Sequence, residues 1–186
     1  FNTTKGSFFK NTKVTGSPKF SVAVANDIIQ IPDFPLTIDG QIFQISALFN
    51  LSESNTFVFN LQNPNTDFQS VKRLLNDSLF STLKDFEIQK PFESTIKISG
   101  KFAYGNSPDI EADFSTTDNE ITISDKFRFE KAAFTGNLTT DVYTTDSLKA
   151  AKKSPKDIKI FFNSLNAELE DVNVSILNSY FQSTPE

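Results

Sequence analysis

The side chains available for chemistry in this 186-residue chain are carboxylates, lysines and hydroxyls, because it contains no histidine and no cysteine. Those two absences remove imidazole bases, thiolate nucleophiles, disulfides and the usual zinc ligands. Glu111 and Asp113 stand two apart, so on an extended strand they share a face. Paired carboxylates are the equipment of a glycosidase. Here, however, they alternate with Ile110, Ala112 and Phe114 and read as the solvated side of a strand. Asp118-Asn119-Glu120, and Glu168, Glu170 and Asp171, lack the glycine and ligand spacing of a calcium loop. There is no Gly-x-Ser-x-Gly, and the six glycines are scattered singly, which leaves no phosphate-cradling loop. Lys149, Lys152, Lys153 and Lys156 form one basic cluster, interrupted by Ser154 and Pro155, and read as a solvated loop. A net charge of −5 argues against a nucleic-acid partner. The expectation is a protein that is not an enzyme and carries no metal or cofactor.

The elements that must position these residues follow a period of two. Apolar side chains alternate with polar or small ones in Phe20, Val22 and Val24, in Phe43, Ile45, Ala47, Phe49 and Leu51, and in Phe57, Phe59 and Leu61. The pattern returns in Ile96, Ile98 and Phe102, in Ile110, Ala112 and Phe114, in Ile121 and Ile123, in Phe127 and Phe129, and in Ile158, Ile160 and Phe162. Each run predicts a strand with one apolar face. Asp39-Gly40 is the sharpest turn signal, and Ser52-Glu53-Ser54-Asn55, Gly105-Asn106-Ser107-Pro108 and Thr117-Asp118-Asn119 supply further hairpin chemistry. Short links between sequential strands predict a mostly β, twisted or curved antiparallel meander forming a single domain over residues 1–186.

One segment breaks the rule. Phe68, Val71, Leu74, Leu75, Leu79 and Leu83 are spaced three and four apart, predicting a helical insertion over about 66–84: one helix over 67–76 and a shorter one over 78–84. Thr66-Asp67-Phe68-Gln69 has the form of a capping box with Thr66 as the cap, so Thr66→Ala is expected to cost about 1 kcal/mol. Residues 144–156 read as a mobile loop.

Phenylalanine occurs 21 times, against three tyrosines and no tryptophan. The candidate functional residues are therefore apolar: Phe43, Ile45, Phe49, Phe57, Phe59, Ile96, Ile98, Phe102, Ile110 and Phe114, merging into one stripe across adjacent strands. Two readings of that stripe follow from the pattern. It lines an open apolar groove able to hold acyl chains, or it is the core of a closed β-sandwich serving a structural or adhesive role. The absence of cysteine favours export. The absence of methionine, with Phe1 first, suggests a mature or excised fragment.

The succession of segments resembles AsmA-like proteins, particularly those of the Bacteroidota envelope. The resemblance runs through Lys13-Val14-Thr15-Gly16, the strand pair Phe43 to Leu61, and the insertion from Asn65 to Leu75. It continues through Pro91-Phe92, Ile98-Ser99-Gly100, Ile110-Glu111-Ala112-Asp113-Phe114 with Asn119, and Phe134-Thr135-Gly136. It implies a fragment of a larger protein anchored in the inner membrane, with a periplasmic, taco-like β-sheet whose apolar interior conducts phospholipid toward the outer membrane. Such a protein acts in lipid transport and outer-membrane biogenesis, and the family has no catalytic residues to transfer.

Overall fold

The computed structural model describes residues 12–23, 26–53, 55–74, 80, 81, 83–103, 108–140 and 159–182. Alternation and turn chemistry together give strands β1 (Val14–Gly16), β2 (Ser21–Ala23), β3 (Ile28–Ile38), β4 (Gln41–Asn50) and β5 (Thr56–Thr66). Helix α1 (Phe68–Leu74) follows, then β6 (Phe86–Ile88), β7 (Phe92–Lys101), β8 (Asp109–Ile123), β9 (Phe127–Thr139), β10 (Lys159–Leu169) and β11 (Val172–Gln182). All eleven strands belong to one antiparallel sheet. Its order is β1-β3-β4-β5-β7-β8-β9-β10-β11, with β2 also on β3 and β6 on β8. Among the described residues the sheet does not close on itself. The architecture is thus the curved meander, and among the described residues no second sheet forms the other half of a sandwich.

The β3–β4 turn falls at Asp39-Gly40, where both residues have positive φ (47° and 87°). Two successive left-handed residues make the tight turn whose twist matches paired strands. Asp39 fixes it further, its Oδ1 accepting from the Lys13 amide at 2.8 Å. Glu170 and Asp171 (φ 49° and 64°) turn β10 into β11 in the same way. Of the other expected links, Ser54 and residues 104–107 lie outside the described residues, as do Val24, Ile158 and the 144–156 segment.

Thr117-Asp118-Asn119 is not a hairpin. It lies within β8, a strand of 15 residues, and the turn into β9 comes later at Ser124-Asp125-Lys126. The pairing steps from Thr116↔Phe134 to Asn119↔Ala132, so β8 carries one extra residue, and Asp118 has φ 54°. A compensating bulge follows on β9, where Lys131 has φ 49° and the next pair is Ile121↔Phe129. Bulge and turn select the same residues, small polar groups tolerant of left-handed φ, which is why the local sequence reads as either.

Proline marks two further bulges. Pro32 sits where β3 steps between Ile31↔Ala47 and Phe34↔Ile45, and Pro64 where β5 steps between Asn63↔Ser94 and Thr66↔Phe92. A residue without an amide hydrogen is tolerated in a sheet at such places. β5 therefore runs through Pro64 to Thr66, and the helix begins one residue later than Thr66 as cap would require. Asp67 is the cap: its Oδ2 accepts from the Ser70 amide at 3.0 Å. Thr66 is instead a buried strand residue, 1% exposed, whose hydroxyl lies 2.6 Å from Ser94 Oγ and donates to the Asn63 carbonyl. Gln69 does not reach back to the cap but donates to Glu87. Asp67→Ala is expected to cost about 1 kcal/mol in urea unfolding, through loss of the amide acceptor. The loss expected for Thr66→Ala keeps its direction and changes its cause, since a buried Ser94 hydroxyl would lose its partner.

Residues 80, 81 and 83 are helical, and the remainder of the expected 78–84 helix lies outside the described residues. α1 packs on β6, and its Phe68 ring meets Phe92 at 6.3 Å. Lys72, buried on α1, donates to Glu87 Oε1 at 2.7 Å and to the Lys84 carbonyl at 3.1 Å. Gln41 ties the same end to β4, its Oε1 accepting from the Asp67 amide and from Asn63 Nδ2, both at 3.1 Å. Since β6 and β7 pair successively along β8, α1 takes up the space beside β6 that lies beyond the end of β5.

Candidate functional site

In an antiparallel sheet directly opposed residues share a face, so the register alone assigns the candidate residues. Leu36↔Phe43 and Phe34↔Ile45 begin the row on β3 and β4. Ile45↔Leu61, Ala47↔Phe59 and Phe49↔Phe57 carry it to β5, and Leu61↔Ile96, Phe59↔Ile98 and Phe57↔Gly100 carry it to β7. Ile96↔Ala112, Ile98↔Ile110 and Ser94↔Phe114 extend it to β8. Phe102, just beyond β7, stacks on Phe49 at 5.9 Å and meets Phe57 at 4.9 Å. The structure therefore brings all ten candidate residues to one face of one sheet.

That face reaches further than the candidates. Phe114↔Gly136, Ala112↔Leu138 and Thr116↔Phe134 continue it onto β9, and Leu138↔Ile160, Gly136↔Phe162 and Phe134↔Leu165 onto β10. Phe134 and its neighbours escape the alternation reading because the β9 bulge puts Glu130 and Lys131 side by side and shifts the frame. β11 carries Val172, Val174 and Ile176 at the right spacing, a run that sequence reasoning passed over.

Aromatic rings organise the face into two clusters. Phe49, Phe57, Phe59 and Phe102 form one, with Phe49–Phe59 and Phe57–Phe59 centroids at 5.4 and 5.7 Å. Phe114, Phe134 and Phe162 form the other, with mutual separations of 5.8, 5.8 and 6.4 Å in mostly edge-to-face contacts. These are the distances at which ring quadrupoles attract. Glycine makes room for the second cluster: a Cβ on Gly136 would stand 2.4 Å from the Phe114 ring and 2.7 Å from the Phe161 carbonyl oxygen.

Burial along the face is uneven. Phe43, Ile45, Ala47, Ala132 and Phe134 are buried; Phe49, Phe57, Phe59, Ile96, Ile98, Ile110 and Phe114 are half-buried; Phe102 is exposed. No second layer lies over this face among the described residues. The deep burial therefore comes from neighbouring side chains of the same sheet that screen one another. No charged side chain occurs among the ten candidates or the β9 and β10 residues that extend them.

The opposite face carries the charged side chains, with Ile42, Leu48 and Leu177 exposed among them. Glu111 lies 3.4 Å from Lys97, and Asp113 accepts from Asn137 Nδ2 at 3.0 Å. Three further acidic groups make ion pairs at the bulges and strand ends: Asp118 with Lys90, Glu120 with Arg128, and Glu168 with Lys131. The Lys90 ammonium, by hydrogen bond and charge, holds the Asp118 carboxyl below the usual carboxylate range, and Glu168 raises the Lys131 ammonium in the same manner. Among the described residues no group of three acidic side chains is placed to hold a metal ion. Two shallow hollows open at bulges, of about 310 Å³ beside Pro32 and Asp33 and about 220 Å³ beside Lys131 and Glu168. The cluster from Lys149 to Lys156 lies outside the described residues.

The geometry defines an open antiparallel sheet with one uncharged apolar face and one mixed face that carries the charges. No family model, curated protein or solved structure matches the chain.

Proposed function

We propose that this chain is a non-enzymatic, lipid-handling segment of a cell-envelope protein, holding the acyl chains of phospholipid against the apolar face of its sheet. The observation that carries the reading is the continuity of that face. Apolar side chains from β3 to β10 adjoin one another in register, without a charge among the candidate residues and, among the described residues, without a second sheet to cover them. Soluble monomers seldom expose contiguous apolar surface beyond a few hundred Å². An acyl chain is a fitting cover, since each buried methylene contributes about 0.8 kcal/mol. The resemblance to AsmA-like proteins supplies the setting: a periplasmic body, a parent chain anchored in the inner membrane, and a role in outer-membrane biogenesis.

Phe59→Glu tests the reading. Phe59 is half-buried between Phe49 and Phe57, so a carboxylate there has a path to water but spoils an acyl-binding surface. Phospholipid co-purifying with the parent chain, measured by mass spectrometry, is expected to fall about tenfold or more in the variant, the loss of roughly 1.4 kcal/mol of binding. The strand signal in circular dichroism is expected to remain. A parent chain free of lipid, with a variant that unfolds, would overturn the proposal in favour of a surface that only packs against protein.

A further inference from the structure

We propose that one corner of the sheet, where Val22, Leu51 and Phe102 stand at the ends of β2, β4 and β7, docks on a phospholipid bilayer by inserting these side chains among the acyl chains. Val22 is 52% exposed, Leu51 49% and Phe102 45%. The register gathers them. A single row of pairs runs Ala23, Ile28, Asn50, Thr56, Lys101, so β2 to β5 and β7 all begin or end at this margin. Val22 lies opposite Ile29 and Ile29 opposite Phe49, against which Phe102 stacks. The corner is therefore the apolar face carried out to its rim.

Backbone hydrogen bonds hold these exposed side chains in place. The Phe102 amide donates to the Asn55 carbonyl at 2.8 Å, and Asn55 Nδ2 donates to the Phe102 carbonyl at 3.0 Å, a reciprocal clamp at the start of β5. The Leu51 amide continues the β3–β4 ladder by donating to the Asp27 carbonyl at 2.7 Å. Asn50 secures the next turn, its Oδ1 accepting from the Ser52 amide at 3.1 Å. Apolar side chains fixed this way meet a partner without the entropy loss of ordering a loop.

Continuity and charge name the partner. The inference rests on the lipid-handling reading for its reason: a face that holds acyl chains exchanges them where it meets a bilayer, and this corner is continuous with that face. Lys101 precedes Phe102, while the exposed Asp27 and Glu53 belong to the turns beside Leu51. Both signs are present, and the corner offers no basic patch among the described residues. Polybasic segments are what anionic head groups attract. Attachment here rests instead on apolar area buried at the head-group boundary, as in shallow interfacial insertion. A neutral, zwitterionic leaflet is sufficient.

The experiment is flotation of the purified chain with vesicles of phosphatidylcholine alone, and of phosphatidylcholine mixed with phosphatidylglycerol, at low and high salt. The chain is expected to float with both and to be indifferent to salt, which screens charges and leaves apolar insertion intact. V22E/L51E is expected to lower binding to both vesicles at least about tenfold. I42E/L177E adds the same charge at two exposed apolar positions of the other face, and it is expected to float as the parent does. A corner covered by the chain itself, or by a second copy, would show in V22E/L51E as a melting temperature below that of I42E/L177E, or as a changed sedimentation mass. Either result would overturn the proposal, as would flotation confined to the phosphatidylglycerol vesicles or equal losses in the two variants. Co-purifying phospholipid separates the two readings. A parent chain that carries lipid and does not float sinks the docking corner alone, whereas a lipid-free parent whose flotation V22E/L51E abolishes keeps the corner and sinks the acyl-holding face.

Discussion

Asn119→Ala is expected to destabilise the protein by about 3 kcal/mol, lowering the melting temperature by roughly 9 °C for a chain of this length. Asn119 is 2% exposed and uses its whole side chain. Its Oδ1 accepts from the amides of Lys90 at 2.9 Å and Glu120 at 2.8 Å, while its Nδ2 donates to the Lys90 carbonyl at 2.9 Å and to Thr116 Oγ1 at 3.1 Å. The side chain thereby replaces ladder hydrogen bonds that the β8 bulge interrupts, and it bolts the β6–β7 junction to that bulge. Truncation strands buried donors and acceptors rather than merely deleting a contact. Lys90→Ala is the matched control. Only the main chain of residue 90 meets Asn119, and its ammonium pairs with Asp118 in solvent, so the expected change is under about 0.5 kcal/mol. Urea denaturation of the two variants measures both. An Asn119→Ala loss below about 1 kcal/mol would show that the bulge holds without this bracket.

The second large effect is expected at Phe134→Ala, with a loss of about 3–4 kcal/mol. Phe134 is 2% exposed and edge-on to Phe114 and Phe162, so its removal leaves a hole that two neighbouring rings cannot fill. Phe102→Ala, by contrast, removes a ring already 45% exposed and is expected to cost about 1 kcal/mol or less. The comparison bears on function as well as stability. An apolar face whose side chains only screen one another gives unequal losses at its deep and shallow positions. A face sealed along its whole length by another layer of protein would give similar losses at both, and near-equal values in thermal unfolding would refute the open-sheet account.

The alternation of the sequence locates most of the sheet, and it does so for a physical reason. A one-residue slip would move a strand's whole apolar set to water, so register and pattern are bound together. That is why alternation alone suffices to assign Phe43, Ile45, Phe49, Phe57, Phe59, Ile96, Ile98, Ile110 and Phe114 to one face. The same logic fails at bulges. Asp118 and Lys131 each add a residue, the alternation changes phase, and a single strand from Asp109 to Ile123 reads as two strands and a turn. Phe134 is lost to the reading by that phase change. Thr66 and Asp67 are both good caps, and which of them performs the role depends on whether β5 survives Pro64, a matter decided by pairing with Ser94 and Phe92 across the sheet. Asn119 is the hardest to foresee, because its partners at residue 90 are brought to it only by tertiary pairing.

The strand order has a kinetic consequence. From β3 onward, β6 apart, which is collinear with β7, the strands follow one another across the sheet in sequence order. Most steps close short loops, the exceptions being the 67–91 and 140–158 connections, and contact order is low for a protein made almost wholly of strands. A chain of this kind has no need to wait for its C-terminus. Each hairpin can dock on the one before it as synthesis proceeds, except that β6 must wait for β8.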